Sequence, residues 1–160
     1  MGDILMAALV DRATIIDVLC THLRNTVTDF KLVKPYHGEL DRYSKKTSLQ
    51  AETFPAQVNL ATPFALVISK DRRKVAGVGN SLRFRHEISI YIGDANTHDF
   101  NSITVPPIFN LMKKTLAALD GTAFVRGCGV LEVESDGEYL ITTDLFTVYD
   151  QKYSQLEISR

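Results

Sequence analysis

The chain has 160 residues, with 18 Lys plus Arg against 19 Asp plus Glu and a net charge of −1. That length supports one domain with its own core, and 45% hydrophobic with 23% charged residues excludes a disordered profile. The near-zero charge and a pI near 6.4 weigh against a dedicated duplex-DNA binder, whose affinity rests on a basic surface, but leave room for a local basic patch.

No apolar run reaches the roughly 18–20 residues of a membrane span. Met1 to Val10 is apolar but carries Asp3 and no basic start, so it does not read as a secretion signal. Cys20 and Cys128 share no CxxC spacing and read as reduced, buried thiols of a cytoplasmic protein.

In chain order, Ile15, Ile16, Leu19, Cys20, Leu23 and Val27 recur at helical spacing; Ile4, Leu5, Ala8 and Leu9 either extend this helix backwards or form a separate turn, in which case Asp11 caps a second start. Phe30 to Tyr36 alternates and reads as a short strand with Pro35 near its end. Residues 37–62 read as a loop with room to flex. Phe64-Ala65-Leu66-Val67-Ile68 is an apolar run suited to a strand buried on both faces.

Residues 70–81 are basic and then glycine-rich, which predicts a protruding hairpin loop. Leu82 to Ile92 is the clearest strand, with Leu82, Phe84, His86, Ile88, Ile90 and Ile92 on one side. Ile108, Leu111, Met112, Thr115, Leu116 and Leu119 predict a second helix, with Pro107 in its first turn and Gly121 as its stop. The tail predicts strands over Gly129–Glu134, Tyr139–Thr142 and Leu145–Tyr153, with Asp136-Gly137 as a hairpin turn. The expected architecture is a single α+β domain over 1–160. A mostly antiparallel sheet carries two main helices on one face.

Little chemistry is legible. Gly77-Val78-Gly79-Asn80-Ser81 lacks the Lys-Ser/Thr ending of a phosphate loop. His22, His37, His86 and His98 fit no metal-ligand spacing, and His86 reads as a core histidine with one hydrogen-bond partner. The carboxylates Glu39, Asp41, Asp136 and Glu138 read as solvated. No catalytic residue, cofactor site or metal site is expected. The feature that stands out is Lys70-Asp71-Arg72-Arg73-Lys74, four cations in five residues, extended by Arg83 and Arg85 on the next strand. Lys70, Arg72, Arg73, Lys74, Arg83 and Arg85 are the candidates for contact with phosphates or an acidic partner.

The order of elements resembles the tail-terminator family of Mu-like contractile-tailed phages and prophages. The segments that carry the resemblance are the opening helix around Ile15–Leu23, Tyr36-His37-Gly38-Glu39-Leu40, Pro63 to Ile68, and Ile88-Ser89-Ile90-Tyr91-Ile92. The helix Ile108–Leu119 and the closing strand Leu145–Tyr149 complete it. The stretch from Lys46 to Thr62 is longer and less apolar than that pattern. The resemblance implies a structural, non-enzymatic virion protein at the head-proximal end of the tail, assembled in the bacterial cytoplasm. It implies a homohexameric ring that caps the tail tube, stops its growth and joins it to the neck connector. DNA would pass through the lumen without sequence-specific binding, with no membrane and no cofactor involved. In such a ring the long strand, through Leu82, Phe84, Ile88, Ile90 and Tyr91, is the expected contact with the neighbouring subunit by strand addition. The basic residues would face the lumen or the neck. The rival readings are another head–tail connector or the tube subunit, a small enzyme using His98, Asp99 and Ser102, and a monomeric binding module.

Overall fold

The computed structural model describes residues 9–41, 60–75, 82–95 and 104–159. Helix α1 (Arg12–Thr26) begins where Asp11 accepts a hydrogen bond from the Ala13 amide at 2.9 Å, the second of the two starts read from the sequence. Strands β1 (Leu32–Pro35), β2 (Phe64–Val75) and β3 (Leu82–Ala95) follow. Helix α2 (Ile108–Leu119) then leads to β4 (Glu132–Thr142) and β5 (Phe146–Ser159). The five strands lie in the order β1-β2-β3-β5-β4, with β1 parallel to β2 and every other pairing antiparallel.

Both helices cover one face of this sheet, as expected. Ile15, Leu19, Cys20 and Leu23 of α1 and Ile108, Leu111, Met112 and Leu119 of α2 meet Ala65, Val67, Ile88, Ile90, Ile92 and Tyr153 in one core. The opposite face holds a second, smaller core at one end: Leu40, Phe64, Leu66, Tyr91, Phe146 and Val148. Gly93 makes that second core possible. A Cβ there would lie 2.1 Å from the Phe64 ring, so the aromatic lies flat across the glycine.

The β2–β3 ribbon is longer than the sequence predicts. Residues 70–75 are strand and not hairpin loop, because each of Asp71 to Val75 pairs with β3. Charged side chains are compatible with a strand wherever they alternate between ion pairs and solvent, which composition cannot reveal. Pairing shifts by one residue between Ser69 and Asp71, a bulge at Lys70. Arg12 pins the strand there, donating to the Ser69 hydroxyl at 2.8 Å and to its carbonyl at 2.7 Å.

A second correction concerns Asp136-Gly137. The pair is not a hairpin turn but part of an irregular stretch inside β4, where the register shifts between Ser135 and Glu138. The buried Gln151 amide donates at 2.9 Å to both the Asp136 and Met112 carbonyls, and Tyr153 donates to Gln151 at 2.6 Å. Side chains thus satisfy backbone groups that the ladder leaves open. The actual β4–β5 turn is Thr143 to Phe146, where the Thr143 hydroxyl accepts from the Leu145 and Phe146 amides, both at 3.1 Å. Residues 42–59, 76–81 and 96–103 hold most of the expected 37–62 loop, the glycine-rich run, and the His98, Asp99 and Ser102 group. All of these lie outside the described residues, as does the register of 46–59.

Candidate functional site

The predicted cluster of cations is divided by the sheet. Beyond the bulge, partners across the ribbon are Asp71 with Glu87, Arg72 with His86, Arg73 with Arg85, Lys74 with Phe84 and Val75 with Arg83. Paired residues share a face. Arg72 therefore sits with His86 on the helix-covered side, while Arg73, Arg83 and Arg85 project from the open side.

Most of the run is already neutralised. Lys70 lies 3.2 Å from Asp150 and 5.6 Å from the centre of the Tyr91 ring. Partial burial pulls the Lys70 ammonium down, but Asp150 beside it wins and holds its pKa above the ordinary lysine range. Arg73 bridges Asp71 at 3.0 Å and Glu87 at 3.5 Å. Arg72 is withdrawn from the surface, 3.4 Å from Glu157 and bonded to the Val10 carbonyl. It is not available to a lumen or a partner, a correction to the expectation, because the bulge turns it inward. Lys74 and Arg85 stay exposed, and Arg83 is half-buried with an unpartnered Nε.

The expected interface strand also changes role. β3 is the centre of the sheet, hydrogen-bonded by β2 on one edge and β5 on the other. Leu82, Phe84, Ile88, Ile90 and Tyr91 therefore cannot pair with a neighbouring subunit by strand addition, since no backbone edge is free. The length that made this strand conspicuous is the length of a central strand. The outer strands are β1 and β4. β1 is four residues long, ends in Pro35, and has its Val33 carbonyl held by Arg24 at 2.7 and 3.0 Å. β4 carries Glu132, Glu134, Asp136 and Glu138 and three register shifts. Both features discourage unwanted edge pairing.

On the open face, a cleft of about 340 Å³ gathers Lys70 and Arg85 with Glu87, Ser89, Glu134, Lys152 and Ser154. Ser154 donates to Glu134 at 2.5 Å, and Lys152 pairs with Glu138 at 2.6 Å. The Ser89 hydroxyl is buried without a partner. Of the six basic candidates, this cleft unites only Lys70 and Arg85. Ser89, Glu134 and Lys152 were missed because their strands are far apart in sequence and alternate between faces.

Behind the sheet, on the helix-covered side, lies a second polar group. His86 and Glu157 are both buried, with His86 Nε2 2.7 Å from Glu157 Oε1. The other Glu157 oxygen accepts from the Val10 amide at 2.7 Å. Burial, chiefly, holds His86 below the ordinary histidine range, so the ring is neutral and donates through Nε2. The core-histidine reading is therefore met. Half-buried Cys128 joins this group, its thiol pushed up to about 11 first by burial and then by Glu157. Cys20 is pushed up to about 11 mainly by burial in the core and belongs to packing. Of the described residues, His86, Cys128 and Glu157 are the set whose nitrogen, sulfur and oxygen could hold a metal ion.

Comparison with protein-family models and with curated proteins finds no match to this chain.

Proposed function

We propose that the protein is a structural, non-catalytic subunit of a contractile tail, a terminator that assembles into a ring on the tail tube and joins it to the neck. The order of elements in the sequence is the basis of that reading. The observation that carries it furthest is an uncovered apolar region at the end of the sheet remote from Arg72. Val105, Phe109, Tyr139 and Leu145 are exposed there at 40–68%. The Phe109, Tyr149 and Tyr139 rings follow one another at 5.5 and 5.9 Å beside Pro106 and Pro107. Apolar surface of this kind marks contact with another protein.

In this reading the ring contact uses these side chains, not the β3 backbone, and Arg83 and Arg85 on the open face supply the positive potential toward DNA or the neck. No described helix is long and apolar enough to cross a membrane. The test is the solution mass by light scattering, with negative-stain images of the same fractions. Closed rings of about six subunits, or capping of pre-formed tail tubes by a monomer, support the terminator. Open-ended tubes indicate the tube subunit. A monomer that caps no tube removes the proposal and leaves the charged open-face cleft as the feature of a small binding module.

A further inference from the structure

We propose that His86, Cys128 and Glu157 bind one zinc-class divalent ion. The three residues come from β3, from the segment before β4, and from the end of β5, so only the folded chain assembles them. Their ligand atoms lie within 4.8 Å of one another. Around a tetrahedral zinc, with bonds of about 2.0–2.3 Å, such atoms stand roughly 3.3–3.6 Å apart. Closing the set therefore needs about 1 Å of side-chain movement. One imidazole, one thiol and one carboxylate suit zinc or cobalt, and do not suit magnesium or calcium, which take oxygen.

A second observation points the same way. The polar groups around the histidine are incompletely paired. His86 Nδ1, Arg72 Nε and Gln155 Nε2 are all buried without a hydrogen-bond partner. Arg72 and Gln155 are the residues paired with His86 on its two sides. Buried polar atoms are normally satisfied, and three orphans on one rung need a reason. An ion on Nε2 accounts for the first of them. It displaces the ring proton to Nδ1, and rotation of the Gln155 amide then offers its oxygen as the acceptor. A ligating histidine commonly has such a partner on its other nitrogen.

The Cys128 thiol loses its proton to solvent on coordination, so thiolate and carboxylate together offset the two charges of the ion itself, and Arg72 stays beside them as one positive charge. Arg72 can leave the carboxylate because it keeps the Val10 carbonyl. Cys128 is the partly exposed member, so the ion and a solvent-derived fourth ligand enter from its side.

The inference is independent of the ring reading. The test uses the full chain, stripped with a chelator and titrated with Co²⁺. One equivalent should produce a thiolate-to-cobalt charge-transfer band with tetrahedral visible bands, and Zn²⁺ should bleach both. Cys128→Ser should lose the charge-transfer band and bind Co²⁺ at least tenfold more weakly, while Cys20→Ser keeps the band. No band in the unmodified chain, or a band that survives Cys128→Ser, overturns the site. If Cys128→Ser does not fold, the unmodified chain and Cys20→Ser decide: a band retained in Cys20→Ser assigns the thiolate to Cys128, and its loss refutes the assignment.

Discussion

On one side of the sheet, β3 presents Ile88, Ile90 and Ile92 to two helices, and all three are essentially sealed. On the other side it presents Arg85, Glu87 and Ser89, and only then Tyr91 and Gly93, where the second core begins. The helix-covered face is apolar along most of its length and closes on a buried ionic group. The open face is apolar at one end only and carries a charged cleft at the other. Stability thus comes mainly from one face, and freedom to vary belongs to half of the other. Among the described residues no helix covers that half, and a solvated face is common in antiparallel sheets.

Mutations should expose that difference, and the second core gives the largest expected effect. Phe64→Ala empties the space over Gly93 and should cost about 3–5 kcal/mol in denaturant-derived stability. A loss under 1 kcal/mol would show that the open face has no real core. Ile90→Ala, beneath both helices, should cost about 2–5 kcal/mol. Gly93→Ala should cost about 1–3 kcal/mol through its collision with the Phe64 ring. The double variant with Phe64→Ala should lose less than the sum, since the colliding ring is gone. Last, Arg85→Ala on the charged half should change stability by no more than about 0.5 kcal/mol. A larger loss by the same measurement would mean that the cleft is structural.

Much of the fold was legible because its signals were local. The spacing of Ile15, Leu19, Cys20 and Leu23 located α1, and Asp11 marked one of its two candidate starts. Ile108, Leu111, Met112, Thr115 and Leu119 did the same for α2, and alternation located β3. The errors came where a pairing partner decides the outcome. Lys70 to Lys74 looks like loop chemistry until β3 is laid against it, and Asp136-Gly137 looks like a turn until Gln151 is found bonding across it. The length of β3 suggested an edge for a neighbour to use. Yet its length and apolar side follow equally from a central position, and sequence pattern does not separate the two. The His86, Cys128 and Glu157 group was illegible for a simpler reason: 71 positions separate its histidine from its glutamate, and no local spacing encodes that meeting.

The bulge at Lys70 works as a parity switch in the chain. Simple alternation would place Lys70, Arg72 and Lys74 on one side and leave Glu157 without its guanidinium. One supernumerary residue reverses the phase of everything after it, so Lys70 reaches Asp150 on the open face and Arg72 reaches Glu157 behind it. Deletion of Lys70 alone would restore regular alternation without turning a single neighbour around, at the cost of the Asp150 pair. Length variation along this strand is therefore constrained by odd and even counts more than by the identity of what is gained or lost.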